Sequence, residues 1–350
     1  MITNHLDTEF ESHTSFFEQI VGRSEKPGLT GEQLREIFKQ ERIMVVGAGG
    51  TIGSAIARKL VQSDIEEVFF LDRDESALHK LALSLSNEAA SHSEKCVVAD
   101  IKDYQSIYSA ISKLKPTLIL HAAALKHLVM LERFPRDGFV TNVLGTLNLL
   151  NSASSLGVQS LINISTDKAA NPTSILGLTK KVTELLVEEF SVSKFELAAS
   201  VRFGNVFASR GSVIETFIHQ LRNNLPVTIT DPHVDRFFMS HNEAANLVLS
   251  AASLRENGIF VQNMGQEVLI TDIVRNLARW LHVEPKVNFV GLQPGEKLHE
   301  ELFDGPVTKT IFTDIVKITD SSARILSARL LGASPNTYLE IADLLKELID

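Results

Sequence analysis

Short apolar runs alternate with longer amphipathic stretches through most of this chain. Ile43 to Val46, Glu67 to Leu71, Lys95 to Ala99, Thr117 to His121, Ser160 to Ile164 and Leu197 to Phe203 read as strands. Runs of this length, bounded by polar or glycine-rich turns, fit strands covered on both faces. Helical patterns separate them at Ser54 to Gln62, Glu75 to Glu88, Tyr104 to Lys113, Val140 to Leu156 and Leu176 to Glu189. Strand and helix in alternation predict an α/β fold built on a doubly wound parallel sheet. Past Phe203 the rhythm breaks. Helices near 214–222, 242–253 and 271–281 mix with short strands near 227–230, 237–239, 259–262 and 287–290, and a last helix spans about 336–349. This predicts a smaller mixed α/β lobe over the carboxyl edge of the sheet. At the other end, Phe16, Phe17, Ile20 and Val21 form one face of a short helix, broken at Gly28 and Gly31. The division expected is therefore an arm at 1–40, a sheet domain at 41–204 and a lobe mainly at 205–350, with segments free to return to the sheet. The arm is expected to pack on the body or on a neighbouring subunit.

The first strand runs straight into Gly47-Ala48-Gly49-Gly50-Thr51-Ile52-Gly53 and then a helix. Strand, glycine turn and helix are the setting of a dinucleotide site, in which backbone N–H groups approach a pyrophosphate. Gly47, Gly50, Gly53, Thr51 and Ile52 are thus cofactor candidates, and the sheet domain reads as Rossmann-type. Asp72 ends the second strand nineteen residues past Gly53, where an acid meets the adenosine ribose. The neighbouring Arg73 would suit a 2′-phosphate, so NAD and NADP both stay open, with NAD favoured because Asp72 repels a phosphate. Asp100 and Ile101 follow the third strand. Ala122, Ala123 and Ala124 follow the fourth, small enough to let a cofactor lie against the backbone.

The fifth strand ends in Ser165-Thr166-Asp167-Lys168, and the next helix carries Lys180. Hydroxyls, a carboxylate and ammonium groups at a strand's carboxyl end make a candidate proton-transfer site. The formal charge of −9 argues against nucleic acid or an anionic membrane as the main partner. The single cysteine, Cys96, allows no disulfide within the chain and reads as core rather than nucleophile. No apolar run reaches membrane-span length, and the polar start, Met1 to Ser15, is no signal peptide. A cytoplasmic protein without a bound metal is expected.

Nine segments, in order, resemble one family: GAGGTIGS (47–54), LDRDE (71–75), HAAALKHLVMLERFP (121–135), TNVLGT (141–146), ISTDKAANP (164–172), LGLTK (176–180), VRFGNVFASRGSV (201–213), DRFFMS (235–240) and PGEKLHEELF (294–303). They are similar to the extended short-chain dehydrogenase/reductases, and within these to the bacterial polysaccharide-biosynthesis 4,6-dehydratases of UDP-N-acetylglucosamine. The resemblance implies oxidation at C4 of the sugar, loss of water across C5 and C6, and hydride return to C6. It places the acid at Asp167 and the base at Lys168, the latter favoured if desolvation keeps the amine neutral. Lys180 would hold the nicotinamide ribose, and Thr166 would meet the C4 hydroxyl. Asn205, Arg210 and Arg236 would contact the UDP portion, Glu296 the uridine ribose, and Lys126 and His127 the sugar. Homo-oligomers are common in the family.

Two positions depart from the family pattern. Leu176 stands where the superfamily's Tyr-x-x-x-Lys has tyrosine, one helical turn before Lys180. Leucine takes no proton, which leaves Asp167, Thr166 through water, or a water chain as base for C4 oxidation. Gln293 replaces an arginine before Pro294-Gly295-Glu296. A nucleotide-sugar epimerase and a catalytically silent nucleotide-sugar sensor are the competing readings. The adjacent Asp167 and Lys168 speak against the first, and Leu176 favours the second.

Overall fold

In the computed structural model, residues 14–85, 93–318, 326–331, 333 and 335–350 are described. Residues 1–13, read above as polar, and the end of the helix expected to reach Glu88 lie outside them. Among the described residues nine strands form the main sheet: β1 (Ile43–Val46), β2 (Val68–Asp72), β3 (Cys96–Val98), β4 (Leu118–His121), β5 (Ser160–Thr166), β6 (Leu197–Phe203), β7 (Gly258–Gln262), β8 (Val307–Lys309) and β9 (Ile315–Ile318). Their spatial order is β8-β9-β7-β6-β5-β4-β1-β2-β3. Pairing is parallel from β3 to β7, and β9 and β8 add antiparallel at the edge. The order reverses between β1 and β4, and a crevice opens at that switch point above the strand ends.

The apolar runs fall in the middle of this sheet because both faces are covered. All four β1 residues and all seven β6 residues are buried. One face packs Met44, Val46 and Leu161 against helices that include Ile175–Ser191 and Tyr338–Ile349. The other packs Val45, Leu120 and Val201 against Thr51–Gln62 and His241–Leu254. Here β7, β8, β9 and the last helix return to the sheet domain.

The remaining lobe has its own core of Phe207, Phe217, Ile229, Phe238, Ile273 and Leu277. Phe16, Phe17, Ile20 and Val21 complete it, so the amino-terminal helix Thr14–Val21 packs on its own body. Phe16 meets Trp280 with ring centroids 4.8 Å apart. Just beyond, Arg23 forks onto Glu243 at 2.6 and 2.9 Å and donates to the Phe238 carbonyl at 2.7 Å. Glu243 also closes a capping box with Ser240 at the start of His241–Leu254. This carboxylate therefore fixes the arm, the lobe and a sheet-covering helix to one another.

Candidate active site

A cleft of about 770 Å³ lies between the sheet's carboxyl edge and the lobe. Its walls include Gly47, Gly50, Thr51, Ile52, Gly53, Asp72, Arg73, Asp100, Ile101, Ala122, Ala123 and Ala124 from the first domain. Lys126, His127, Thr166, Lys168, Lys180, Asn205 and Arg210 also face it. Asp167, Arg236 and Glu296 do not. Asp167 is fully buried behind Thr166 and Lys168, and Arg236 is 5 % exposed.

The glycine turn is shaped for close approach. Gly47 has φ +82°, and a Cβ there would lie 2.6 Å from Ala123 N. A Cβ on Gly53 would collide with the Gly47 carbonyl. Gly50 differs: its nearest neighbour to a Cβ is the Gly47 carbonyl at 3.3 Å, and the residue is exposed to the cleft. As N-cap of Thr51–Gln62 it supplies no side-chain cap, leaving helix N–H groups for an anion. Asp72 accepts from Gly49 N at 2.9 Å and from Asp74 N at 3.0 Å, which pins its carboxylate beside the turn. Arg73 lies 3.9 Å from Asp100. The turn, the alanines and Asp72 fit a dinucleotide. Gly50→Val should weaken NAD(H) binding at least tenfold, about 1.4 kcal/mol, with little change in melting temperature. Titration calorimetry checks this, and parental affinity would place the phosphates elsewhere.

Across the cleft, the Arg210 N–H donates to Thr51 Oγ1 at 3.2 Å and ties the lobe to the glycine turn. Lys126 Nζ donates to Ser209 Oγ at 3.3 Å, and the His127 ring sits against Gly211, where a Cβ would lie 2.7 Å from its Cε1. Burial, and then the charge of Lys126, lowers the pKa of His127. Cys96 is half-buried in β3, and burial pushes its thiol up, away from the nucleophilic thiolate.

Lys180 and Leu176 stand one turn apart in Ile175–Ser191, both against the cleft. Burial draws the Lys180 ammonium down to about 8, opposed by Glu184. Beneath it, burial and then Lys180 itself bring His121 down to about 3, so its ring is neutral. Thr146 donates to the Asn142 carbonyl at 2.6 Å and so accepts from His121 Nε2 at 3.0 Å. Asn142 lies in a π-helical turn, Phe139–Leu144. Its side chain accepts from Leu125 N at 2.8 Å and donates to Leu125 O at 3.1 Å and Thr179 Oγ1 at 3.2 Å. It thereby locks the alanine loop to the helix of Lys180.

At the end of β5, Thr166 Oγ1 donates to Asp167 Oδ1 at 2.9 Å. Lys168 Nζ donates to the same oxygen at 3.0 Å and to Asn205 Oδ1 at 3.3 Å, and lies 3.2 Å from Glu300 Oε1. Burial alone would lower the pKa of Lys168, but Asp167 and Glu300 outweigh it and raise it. The neutral amine expected from desolvation is therefore not the resting form; two carboxylates hold an ammonium. Arg236 continues the chain of charges. Its Nε lies 3.7 Å from Glu300, its Nη2 3.3 Å from Glu296, and it donates to the carbonyls of Asp235, Lys297 and Leu298. Glu296 is occupied as well, accepting from Thr230 Oγ1 at 2.9 Å and Gln293 N at 3.0 Å. Among the described residues no group of three or more His, Cys, Asp or Glu is placed to hold a metal.

The profile of one protein family, described as polysaccharide biosynthesis protein, matches residues 43–320. The chain belongs to that family. The capsular polysaccharide biosynthesis protein CapD of Staphylococcus aureus is 38 % identical over 268 residues, 75 % of this chain and 45 % of CapD. The chain thus spans just under half the length of that polysaccharide-biosynthesis relative. The UDP-glucose 4-epimerase of Rickettsia canadensis is 33 % identical over 278 residues, 76 % of this chain and 78 % of the epimerase. The X-ray structure of Pen from Bacillus thuringiensis superposes with a TM-score of 0.74 at 29 % identity, covering 81 % of this chain and 91 % of Pen. These likenesses place the chain in the polysaccharide-biosynthesis family, within the extended short-chain dehydrogenase/reductase superfamily. Among the described residues no helix is long and apolar enough to cross a membrane.

Proposed function

We propose that this chain is an NAD-dependent nucleotide-sugar 4,6-dehydratase acting on UDP-N-acetylglucosamine. The observation that carries the reading is the Thr166–Asp167–Lys168 cluster, hydrogen-bonded together at the strand end below the cleft. When bound, the cofactor supplies a hydride acceptor at C4 and a donor at C6. With Leu176 inert, Thr166 accepts the C4 hydroxyl proton and passes its own to Asp167. That neutralises one of the two carboxylates that keep Lys168 protonated, so C4 oxidation primes the base. Lys168, having released a proton to water in the cleft, takes the proton from C5. Asp167 returns its proton through Thr166 to the departing C6 hydroxyl, and water leaves; as hydride reaches C6, Lys168 hands its proton back to C5 and then recovers its own from water. Lys180 orients the cofactor ribose, and its burial lowers its proton affinity against the pull of Glu184. Oligomer formation belongs to the same proposal and follows only from the family resemblance.

The epimerase reading draws support from the name of the Rickettsia relative. It requires oxidation at C4 but neither a C5 base nor a C6 acid. Incubation with UDP-N-acetylglucosamine separates the two: a 4-keto-6-deoxy product is expected, detected by its carbonyl absorbance in alkali. A C4 epimer without a keto sugar would establish the epimerase, and unchanged substrate would favour a sensor.

A further inference from the structure

Glu300 carries no proton in the reaction as set out above, yet it is built into the site. It is 4 % exposed and reaches the cluster from the lobe segment after Pro294. Its Oε1 lies between Lys168 Nζ at 3.2 Å and Arg236 Nε at 3.7 Å. Among the described residues its Oε2 is buried with no hydrogen-bond partner, as is Oδ2 of Asp167. Leaving a carboxylate oxygen unpaired in a buried place is costly. Glu300 is nevertheless held there by a second buried network at its own end of the segment. Arg202 grips Asp304 at 2.7 and 3.0 Å and the Leu302 carbonyl at 3.2 Å. We propose that Glu300 is a positioning residue for Lys168, anchoring the amine at the cleft floor and setting how firmly it keeps its proton. Glu300 does not face the cleft, so it acts through the lysine rather than on substrate. This rests on Lys168 serving as the base in the proposed reaction. The groups facing Lys168 are Asp167 and Glu300, which favour the ammonium, and Arg236, which opposes it. Glu296 lies beyond Arg236, and Glu267 feels Glu300, Asp235 and His299. Asp167 gains a proton during oxidation in the proposed sequence, whereas Glu300 takes no part in that transfer. Glu300 therefore decides the proton affinity that remains when C5 must be deprotonated.

The test is competitive labelling of the whole protein with acetic anhydride from roughly pH 6 to 11, lysine by lysine, read by peptide mass spectrometry. An opposite charge at this range shifts an amine by about 1–3 pH units. In Glu300→Gln the labelling midpoint of Lys168 should fall by at least about one unit, while that of Lys180 stays in place. Glu300→Asp keeps the charge but withdraws it, and should lower the midpoint part of the way. That variant carries the test if the glutamine variant does not fold. An unchanged Lys168 midpoint overturns the proposal. So does a shift shared equally by Lys180, which would mean general loosening. Labelling needs no substrate, so its outcome stands apart from the dehydratase reading. If the midpoint moves and UDP-N-acetylglucosamine is not turned over, the positioning role holds and the reaction assignment falls. If both hold, exchange of the C5 hydrogen with solvent should reach half its maximum at lower pH in Glu300→Gln.

Discussion

Arg202→Ala should destabilise the protein by about 3–5 kcal/mol, the range for removing one partner of a buried ion pair. Arg202 is fully buried in β6 and makes five hydrogen bonds. Two are to Glu184 at 2.8 and 2.7 Å, in the helix of Lys180. Burial works against its charge, but Glu184 and Asp304 raise its pKa further still. Without the guanidinium, two carboxylates remain in the interior. Lys181 compensates only in part, 2.7 Å from Asp304 and 4.0 Å from Glu184. Against a typical total of about 5–15 kcal/mol, the loss should be plain in a urea titration. A shift under about 1 kcal/mol would mean that water or rearrangement replaces the arginine. Because Asp304 holds the segment of Glu300, the variant should also loosen the Thr166–Asp167–Lys168 cluster before global unfolding.

Lys168→Ala should lower turnover of UDP-N-acetylglucosamine by about 10²–10⁴, the usual contribution of a general acid or base. Exchange of the C5 hydrogen with solvent deuterium should disappear, while some oxidation at C4 persists. Asp167→Asn should slow both oxidation and water loss, because in the proposed reaction one carboxyl group takes the C4 proton and returns it to C6. It removes a charge from beside Lys168 without removing the side chain, so cofactor affinity should be retained. Rapid-mixing absorbance of the reduced cofactor separates the two steps. If both variants keep parental turnover, the elimination does not run through β5. Leu176→Tyr is not expected to restore a missing function: Leu176 is 6 % exposed and packed in the core, so a phenol there would have to displace its neighbours.

The sheet was legible because its central strands are buried on both faces, as the unbroken run Ile43–Val46 shows. The glycine turn was legible because close packing forbids side chains at Gly47 and Gly53. The sheet that β7 joins was not, since a strand's sequence does not name its neighbour; Gly258–Gln262 lies after much of the lobe, yet pairs with β6. The polar framework was the least visible part. Asn142 works on the backbone of Leu125, and Arg202 finds partners 18 and 102 residues away from within an apolar strand. Glu300 stood inside a segment noticed for Glu296, but its tie to Lys168 exists only once the chain is folded. The electrostatic expectation for Lys168 failed for the same reason. Desolvation can be guessed from a buried strand end, whereas a carboxylate arriving from the lobe cannot.

In the proposed reaction hydride leaves C4 and returns to C6, with water lost between. UDP-N-acetylglucosamine deuterated at C4 follows that hydride. After incubation with the parental protein, NMR should find the deuterium in the C6 methyl group of a 4-keto sugar. Deuterium still at C4, whether in a C4 epimer or in untouched substrate, would rule out the dehydratase reaction.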